Sequence, residues 1–293
     1  MNFVIRIKKI LKVKSENELR SKIRRILFKK KYNTNDIIET LKSIGIKEGS
    51  NVFVHSTWSE FINYTDTIDD FIKGILGLIG NSGTLAMPAF PLLRKKTSVF
   101  NVRTTPTAAG LIPERFRSYE GVKRSINLQH SVCSKGPMSE FLTSEHHHSI
   151  TPWDEKSPYY RLGEIDAIIL SFGLGKHFVG TILHCAESIL RNDYPYFRLF
   201  FDKEVSYEYI DYEGNTHNHT YLTKSDAIIR KWTNRSHRRI IRRYFNRKKY
   251  NRKRISNLTI NAYDANYAIS RVIELGKKGI TVYVEPDPKE YFK

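Results

Sequence analysis

Apolar residues recur every three or four positions at Phe3, Ile7, Ile10 and Leu11, then at Leu19, Ile23, Ile26 and Leu27, with lysines and arginines between them. That spacing predicts a basic amphipathic helix at the start of the chain. The helical period returns over Asp36–Ile44, with Thr34 as the expected N-cap and Gly45 as the stop. Asn51–His55 reads as a buried strand, Ile68–Ile79 as a helix, Asn81-Ser82-Gly83 as a turn and Thr84–Met87 as a second strand. Thr107 or a residue near it is expected to cap a helix that runs through Arg117 and has ended by Gly121. Ile165–Leu170 reads as an apolar strand entering a glycine-containing loop, and Thr181–Leu190 as a helix. A helix over Ala265–Leu275 and a strand over Ile280–Val284 close the pattern. Strands alternating with helices predict an α/β fold, a three-layer α/β/α body around a mainly parallel or mixed sheet.

Residues 195–222 break the alternation. Tyr207, Tyr209 and Tyr212 alternate with acidic and polar residues, which predicts a hairpin turning at Glu213-Gly214-Asn215. A basic stretch, 230–254, follows with a helical stripe of Trp232, Ile240, Ile241, Tyr244 and Phe245. The expected organisation is a basic extension over residues 1–31 and a single domain over 32–293, carrying an insertion at about 200–260.

Charge sharpens this division. The net charge is +19, yet residues 1–31 carry 12 Lys/Arg against two acids and residues 230–254 carry 13 Lys/Arg and no acid. These two segments hold more than the whole excess, so the rest of the chain is mildly acidic. A nucleic-acid binder can have this profile, and so can a catalytic body with two basic appendages. The N-terminal stripe would lie on an anionic membrane surface or pack on the body with its charges in water. Two cysteines, Cys133 and Cys185, cannot build a disulfide framework, which points to a reducing, cytoplasmic setting. No apolar run approaches the ~18 residues of a membrane span. With 40% hydrophobic residues the chain can bury a substantial core, which excludes a mostly disordered protein.

The candidate chemistry centres on Thr181-Ile-Leu-His184-Cys185-Ala-Glu187. On a helix His184 and Glu187 share a face, and a carboxylate beside an imidazole fixes its tautomer and suits it to act as a general base. The bland alternative, a satisfied structural histidine, is the commoner fate of such a pair taken alone. Cys185 suggests a rival Cys–His acyl carrier, but neighbours on a helix point about 100° apart, so a small buried thiol is the expected reading. His146–His148 with Glu145 and Asp154 has no metal-site spacing, because consecutive residues cannot all converge on one ion, and an exposed loop near the mouth of the site is expected instead. Gly173-Leu-Gly175-Lys176 lacks the spacing of a phosphate-cradling loop and reads as a strand-to-helix turn.

Seven blocks in order carry a family likeness: Val54-His55-Ser56-Thr57-Trp58-Ser59; Gly83-Thr84-Leu85-Ala86-Met87-Pro88-Ala89-Phe90; Thr105-Pro106-Thr107 with Gly110, Ile112, Glu114 and Phe116-Arg117; Gly121 with Arg124-Ser125; His130-Ser131-Val132 with Gly136; Ser157-Pro158-Tyr159; and Thr181 with Leu183-His184 and Ala186-Glu187. Over residues 35–195, with a weaker echo at 262–284, the sequence resembles the aminoglycoside 3-N-acetyltransferase family, whose fold is distinct from the GNAT acetyltransferases. The resemblance implies transfer of acetyl from acetyl-CoA, a cosubstrate, to a small-molecule amine acceptor without a metal. His184 would be the general base, Glu187 its partner and Thr181 a donor to the tetrahedral oxyanion. His55, Ser56 and Thr57, at a strand end, would meet coenzyme phosphates or pantetheine amides, together with Arg124, Ser125 and Ser131.

Two departures bear on the acceptor. Ile126-Asn127-Leu128 stands where family members usually have His-Pro, and residues 200–260 do not follow the drug-modifying pattern. Basic segments favour an anionic acceptor, so an amino sugar, nucleotide-linked for example, is expected in preference to a polycationic aminoglycoside and antibiotic resistance. A peripheral contact of residues 1–31 with the inner face of the membrane is expected. Nucleic acid is not expected as a partner; a nucleic-acid- or membrane-binding protein on an inactive acetyltransferase body is the reading from another class.

Overall fold

The computed structural model describes residues 23, 27–93, 99–174, 180–231 and 234–283. Ten strands form two sheets among these residues. The main sheet has seven strands in the order β4-β5-β2-β1-β6-β10-β9. Its parallel centre is β2 (Thr84–Pro88), β1 (Asn51–Ser56) and β6 (Ile168–Phe172). The flanking strands β4 (Lys123–Arg124), β5 (Val132–Lys135), β9 (Tyr250–Ile255) and β10 (Leu258–Asp264) all pair antiparallel. The sheet is mixed.

Both faces are covered. On one, α1 (Thr34–Lys42), α2 (Ile68–Ile79) and α3 (Leu111–Arg117) bury Leu41, Phe71, Ile75, Ile112 and Phe116 against the strands. On the other lie α4 (Ser139–Thr143), α5 (Pro158–Glu164), α6 (Cys185–Leu190), α7 (Pro195–Arg198) and the long α10 (Ala265–Gly276), with α8 (Asp226–Lys231) and α9 (Asn234–Tyr244) ahead of α10 in the chain. Gly276 allows a close helix approach, since a Cβ there would stand 2.4 Å from Leu190 Cδ1. The architecture is the expected three-layer α/β/α.

Capping differs from the sequence reading in two places. Asn33, not Thr34, caps α1 and forms a capping box with Asp36, while the Thr34 hydroxyl donates to Asp66 at 2.6 Å. Gly110, not Thr107, precedes α3; the Thr107 hydroxyl instead donates to the Phe90 carbonyl at 2.7 Å and anchors the chain beyond β2.

Residues 200–260, expected as an insertion, run from a second sheet into the core and edge of the main one. The expected hairpin is present as β7 (Lys203–Ile210) and β8 (Thr216–Thr223), with Gly214 at φ +91° in the turn, and it joins β3 (Phe100–Asn101) in a second, three-stranded sheet. The basic stretch then divides. Helix α9 buries Ile240 in the main core, with Phe245 buried just beyond its end. The Asn251-Arg-Lys-Arg254 run forms β9 at the edge of the main sheet, with its charged side chains exposed. Charges along a sheet edge discourage pairing with another chain, which gives this run a structural reason. The expected strand at Ile280–Val284 is absent over residues 280–283, where irregular backbone buries Val282 and Tyr283; Val284 lies outside the described residues. So do Trp232, Gly175-Lys176 and most of the N-terminal stripe, of which Ile23 and Leu27 are helical and exposed.

Candidate active site

The parallel strands β1, β2 and β6 end on one edge of the sheet. β2 follows β1 through α2, whereas the connection into β6 runs through α5 on the opposite face. The topology therefore reverses between β1 and β6, and ligands of open α/β sheets lodge at that point, beyond the carboxyl ends of the strands. His55, Ser56 and Thr57 stand at the end of β1, and Phe172-Gly173 at the end of β6. The Thr57 amide donates to the Phe172 carbonyl at 3.1 Å. Gly173 has φ +76°, and a Cβ on it would fall 2.5 Å from Glu60 Cβ, so only glycine lets the chain leave β6 this close to the turn after β1.

These three residues differ in what they offer. The His55 ring is buried edge-on to Phe53 at 4.8 Å, and burial pushes its pKa down to about 3, so it supplies no cation to a phosphate. The Ser56 hydroxyl is buried and makes no hydrogen bond among the described residues, an unmet polar group at the switch point. Thr57 is half-buried and precedes a 3-10 turn, Trp58–Glu60, without capping it through its side chain.

Beyond β6 the chain enters a 3-10 turn, Thr181–His184, that continues directly into α6. Residues i and i+3 eclipse in a 3-10 helix, which puts Thr181 on the face that carries His184. One α-turn later Glu187 follows on that face, its Oε2 3.5 Å from His184 Nδ1. A proton on Nδ1, facing the carboxylate, makes Nε2 the basic nitrogen. The imidazole lies edge-on to Trp153 at 5.1 Å and stacked on Tyr283 at 5.6 Å. Burial, reinforced by the charge of Lys224, holds the His184 pKa well below its ordinary value, so the ring is neutral at pH 7.

Lys224 was not visible as a functional residue in the sequence, where it reads as one lysine at the end of the hairpin. It is 4% exposed, with Nζ 3.9 Å from Glu187 Oε2, donating to the Tyr283 hydroxyl at 2.5 Å and lying 4.4 Å from the Trp153 ring centroid. His130, on the other side of Trp153 at 4.4 Å, is also held neutral by burial. The only sequence signal for His130 was its place in the His130-Ser131-Val132 block.

The remaining site candidates are occupied internally. Arg124 is 2% exposed; its Nε donates to the Ala89 carbonyl at 2.9 Å, Nη2 donates to the same oxygen, Nη1 donates to Thr105, and the guanidinium covers the Phe100 ring at 4.8 Å. Ser125 accepts from the Val132 amide and pairs with His146 Nδ1, both at 2.9 Å. Ser131 donates to the Asn127 carbonyl. Arg124 ties β4 to the chain beyond β2, Ser125 and Ser131 brace β4, β5 and the turn between them, and that engagement opposes a phosphate-binding role for them.

Cys185 is fully buried and burial raises its thiol well above the usual range, which removes the thiolate a Cys–His acyl carrier needs. The His146–His148 run is a 3-10 turn with His146 buried, not an exposed loop. Its other two rings line a cavity of about 650 Å³ against Tyr209, Tyr212 and His217 of the hairpin. Among the described residues no group of three His, Cys, Asp or Glu could hold a metal ion, and no helix is long and apolar enough to cross a membrane.

Comparison with known proteins shows the family. The family model for aminoglycoside 3-N-acetyltransferase matches residues 53–275. Aminoglycoside N(3)-acetyltransferase IV of Salmonella sp is 28% identical over 161 residues, covering 54% of this chain and 60% of that protein. The SPbeta prophage-derived aminoglycoside N(3')-acetyltransferase-like protein YokD of Bacillus subtilis strain 168 is 28% identical over 178 residues, covering 52% and 63%. The matches thus span under two thirds of these curated relatives. Solved structures share the fold more fully. AAC-IIIb in a binary complex with CoASH has a TM-score of 0.71 at 18% identity, covering 88% of this chain and 100% of that one. A histidine-to-alanine variant of AAC(3)-IVa in complex with a gentamicin has a TM-score of 0.70 at 19% identity, covering 90% and 95%. The family match extends from β1 through α10 and so includes the topological switch, the 3-10 turn and the hairpin: the chain belongs to the aminoglycoside 3-N-acetyltransferase family.

Proposed function

We propose that this chain transfers acetyl from acetyl-CoA to a primary amine of an amino sugar, with His184 as general base. The observation that carries the reading is a neutral imidazole, oriented by Glu187, on the segment that follows the strand bordering the topological switch. The pantetheine arm enters over Ser56 and Thr57, where the unmet Ser56 hydroxyl suits an amide of the arm. The acceptor amine, protonated in water, must first lose a proton to become nucleophilic. As its nitrogen bonds to the thioester carbon, His184 Nε2 takes the second proton. The oxyanion of the tetrahedral intermediate is met by Thr181, on the same face of the turn, or by a nearby backbone N–H. Collapse expels the coenzyme thiolate, which recovers the proton from His184. Acetyl passes directly, and Cys185 takes no part.

Glu187→Gln should lower kcat by roughly tenfold, less than loss of the imidazole, because the imidazolium formed during attack loses its counter-charge. The same change should move the acid limb of the pH–rate profile to lower pH, since the anion that favours protonation has gone. An unshifted limb would show that the carboxylate does not act on His184.

The amino-sugar reading is favoured over an aminoglycoside by the two basic segments, which suit an anionic acceptor and repel a polycation. Relatives solved with gentamicin support the alternative. Purified protein assayed with acetyl-CoA against UDP- and dTDP-linked amino sugars and kanamycin-type drugs decides between them. Turnover of the nucleotide-linked sugars is expected, and turnover of the drugs alone would reverse the assignment. We also propose a peripheral contact between residues 1–31 and an anionic membrane at the cytoplasmic face, supported by the basic stripe and the exposed Ile23 and Leu27.

A further inference from the structure

One strong charge near the site has no part in the acetyl-transfer steps above. Lys224 immediately follows β8, buried at 4% exposure, and a lysine is almost never buried so deeply without a partner. Its ammonium meets three groups that all bear on the His184 ring. Glu187 Oε2 is 3.9 Å away, the same oxygen that stands 3.5 Å from His184 Nδ1. The Tyr283 hydroxyl accepts its hydrogen bond at 2.5 Å, and Tyr283 stacks on the imidazole. The faces of Trp153 and Tyr283 lie 4.4 and 4.5 Å from Nζ, within cation–π range, and Trp153 meets the imidazole edge-on.

We propose that Lys224 is a positioning residue for acetyl transfer that acts through Glu187: its ammonium offsets the carboxylate beside His184 Nδ1, so that the imidazole is available to accept the acceptor's proton. The inference rests on His184 being the base.

Electrostatics around the pair follows from the groups that face it. His130, reached across Trp153, is held neutral, and Cys185 stays protonated because burial raises its thiol. The Tyr283 phenol is likewise raised by burial and then by Glu187. Among these groups, Lys224 and Glu187 carry the charges beside the ring. A lone carboxylate in a dry site would draw a proton onto the His184–Glu187 pair, and an idle imidazolium cannot act as a base. An ammonium on the far side of the carboxylate cancels that pull. Burial pushes the Lys224 pKa down to about 7, against the opposing pull of Glu187. The cation is therefore costly to keep, and a purely structural position would be filled more stably by an apolar side chain.

The test is the pH dependence of kcat for wild type, Lys224→Met, Lys224→Arg and His184→Ala, each checked by thermal melting. Lys224→Met should keep kcat within about threefold at high pH, while its acid limb moves up by about one unit, a roughly tenfold loss on the acid side. Lys224→Arg, which keeps the charge, should return the limb close to its wild-type position. A uniform fall in kcat at every pH for Lys224→Met, with no movement of the limb, would overturn the proposal and leave Lys224 a packing residue. Full activity in His184→Ala would instead remove the base assignment, a separate failure. Should Lys224→Met not fold, NMR titration of the His184 imidazole in Lys224→Gln against wild type decides the matter. A His184 pKa raised by about one unit in the variant supports the role, and an unchanged pKa rejects it.

Discussion

Replacing His184 with alanine is expected to lower kcat by about 10²-fold or more, with coenzyme affinity nearly unchanged. The separation follows from position. The imidazole sits at the junction of the 3-10 turn and α6, whereas the surface proposed for the coenzyme is built from the end of β1. Removing the ring takes away the acceptor of the amine proton and leaves Ser56 and Thr57 where they were. Steady-state kcat, paired with calorimetric binding of coenzyme A, reads the two effects separately. Because the ring packs between Trp153 and Tyr283, the variant should also melt somewhat lower, by an amount consistent with one small cavity. Wild-type turnover in the alanine variant would show that the base lies elsewhere.

Arg124→Met has the second large effect, and it concerns stability. The guanidinium covers the Ala89 and Thr105 carbonyls in a buried site, and burial pushes its pKa down to about 10. Two effects compete when it is removed. The desolvation cost of the charge is recovered, but two carbonyls lose their donors in a place that water does not readily reach. Orphaned buried acceptors cost roughly 1–3 kcal/mol each, so a net loss of about 2–4 kcal/mol is expected, read as a lower denaturant midpoint. The folded fraction should bind coenzyme A with wild-type affinity. A large loss of coenzyme affinity with unchanged stability would restore Arg124 as a phosphate ligand.

The elements nearest the site were the most legible in the sequence, for a physical reason. β1 and β6 are central parallel strands buried on both faces, so they appear as short continuous apolar runs, Val52–Val54 and Ile168–Leu170. The His184–Glu187 pair was legible because helical spacing alone brings the two side chains together. β9 and β10 were hidden by their polarity. β9 is an edge strand of exposed charge, and β10 carries a fully buried Asn261, whose polar atoms are met by Tyr250 at 2.6 Å and Ser171 at 3.3 Å. A period-two reading misses such a strand, because its buried positions include an amide. Lys224 and Tyr283 were invisible for another reason. Their part in the site comes from contacts of Lys224 with Glu187, 37 residues away, and of Tyr283 with His184, 99 residues away, and no local pattern encodes those contacts. Arg124 shows the reverse difficulty. Its place in a family block drew attention to a ligand, while the structure shows the same side chain engaged with backbone carbonyls.

The central claim is that His184 receives the proton of an amine attacking a thioester laid over the end of β1. Its most direct measurement is a crystal structure of the ternary complex with coenzyme A and an amino-sugar acceptor. The acceptor nitrogen is expected within hydrogen-bond reach of His184 Nε2, about 3 Å, with the coenzyme sulfur alongside and the pantetheine arm against Ser56. An acceptor amine paired with another base, or a coenzyme lodged away from the β1–β6 switch, would contradict it.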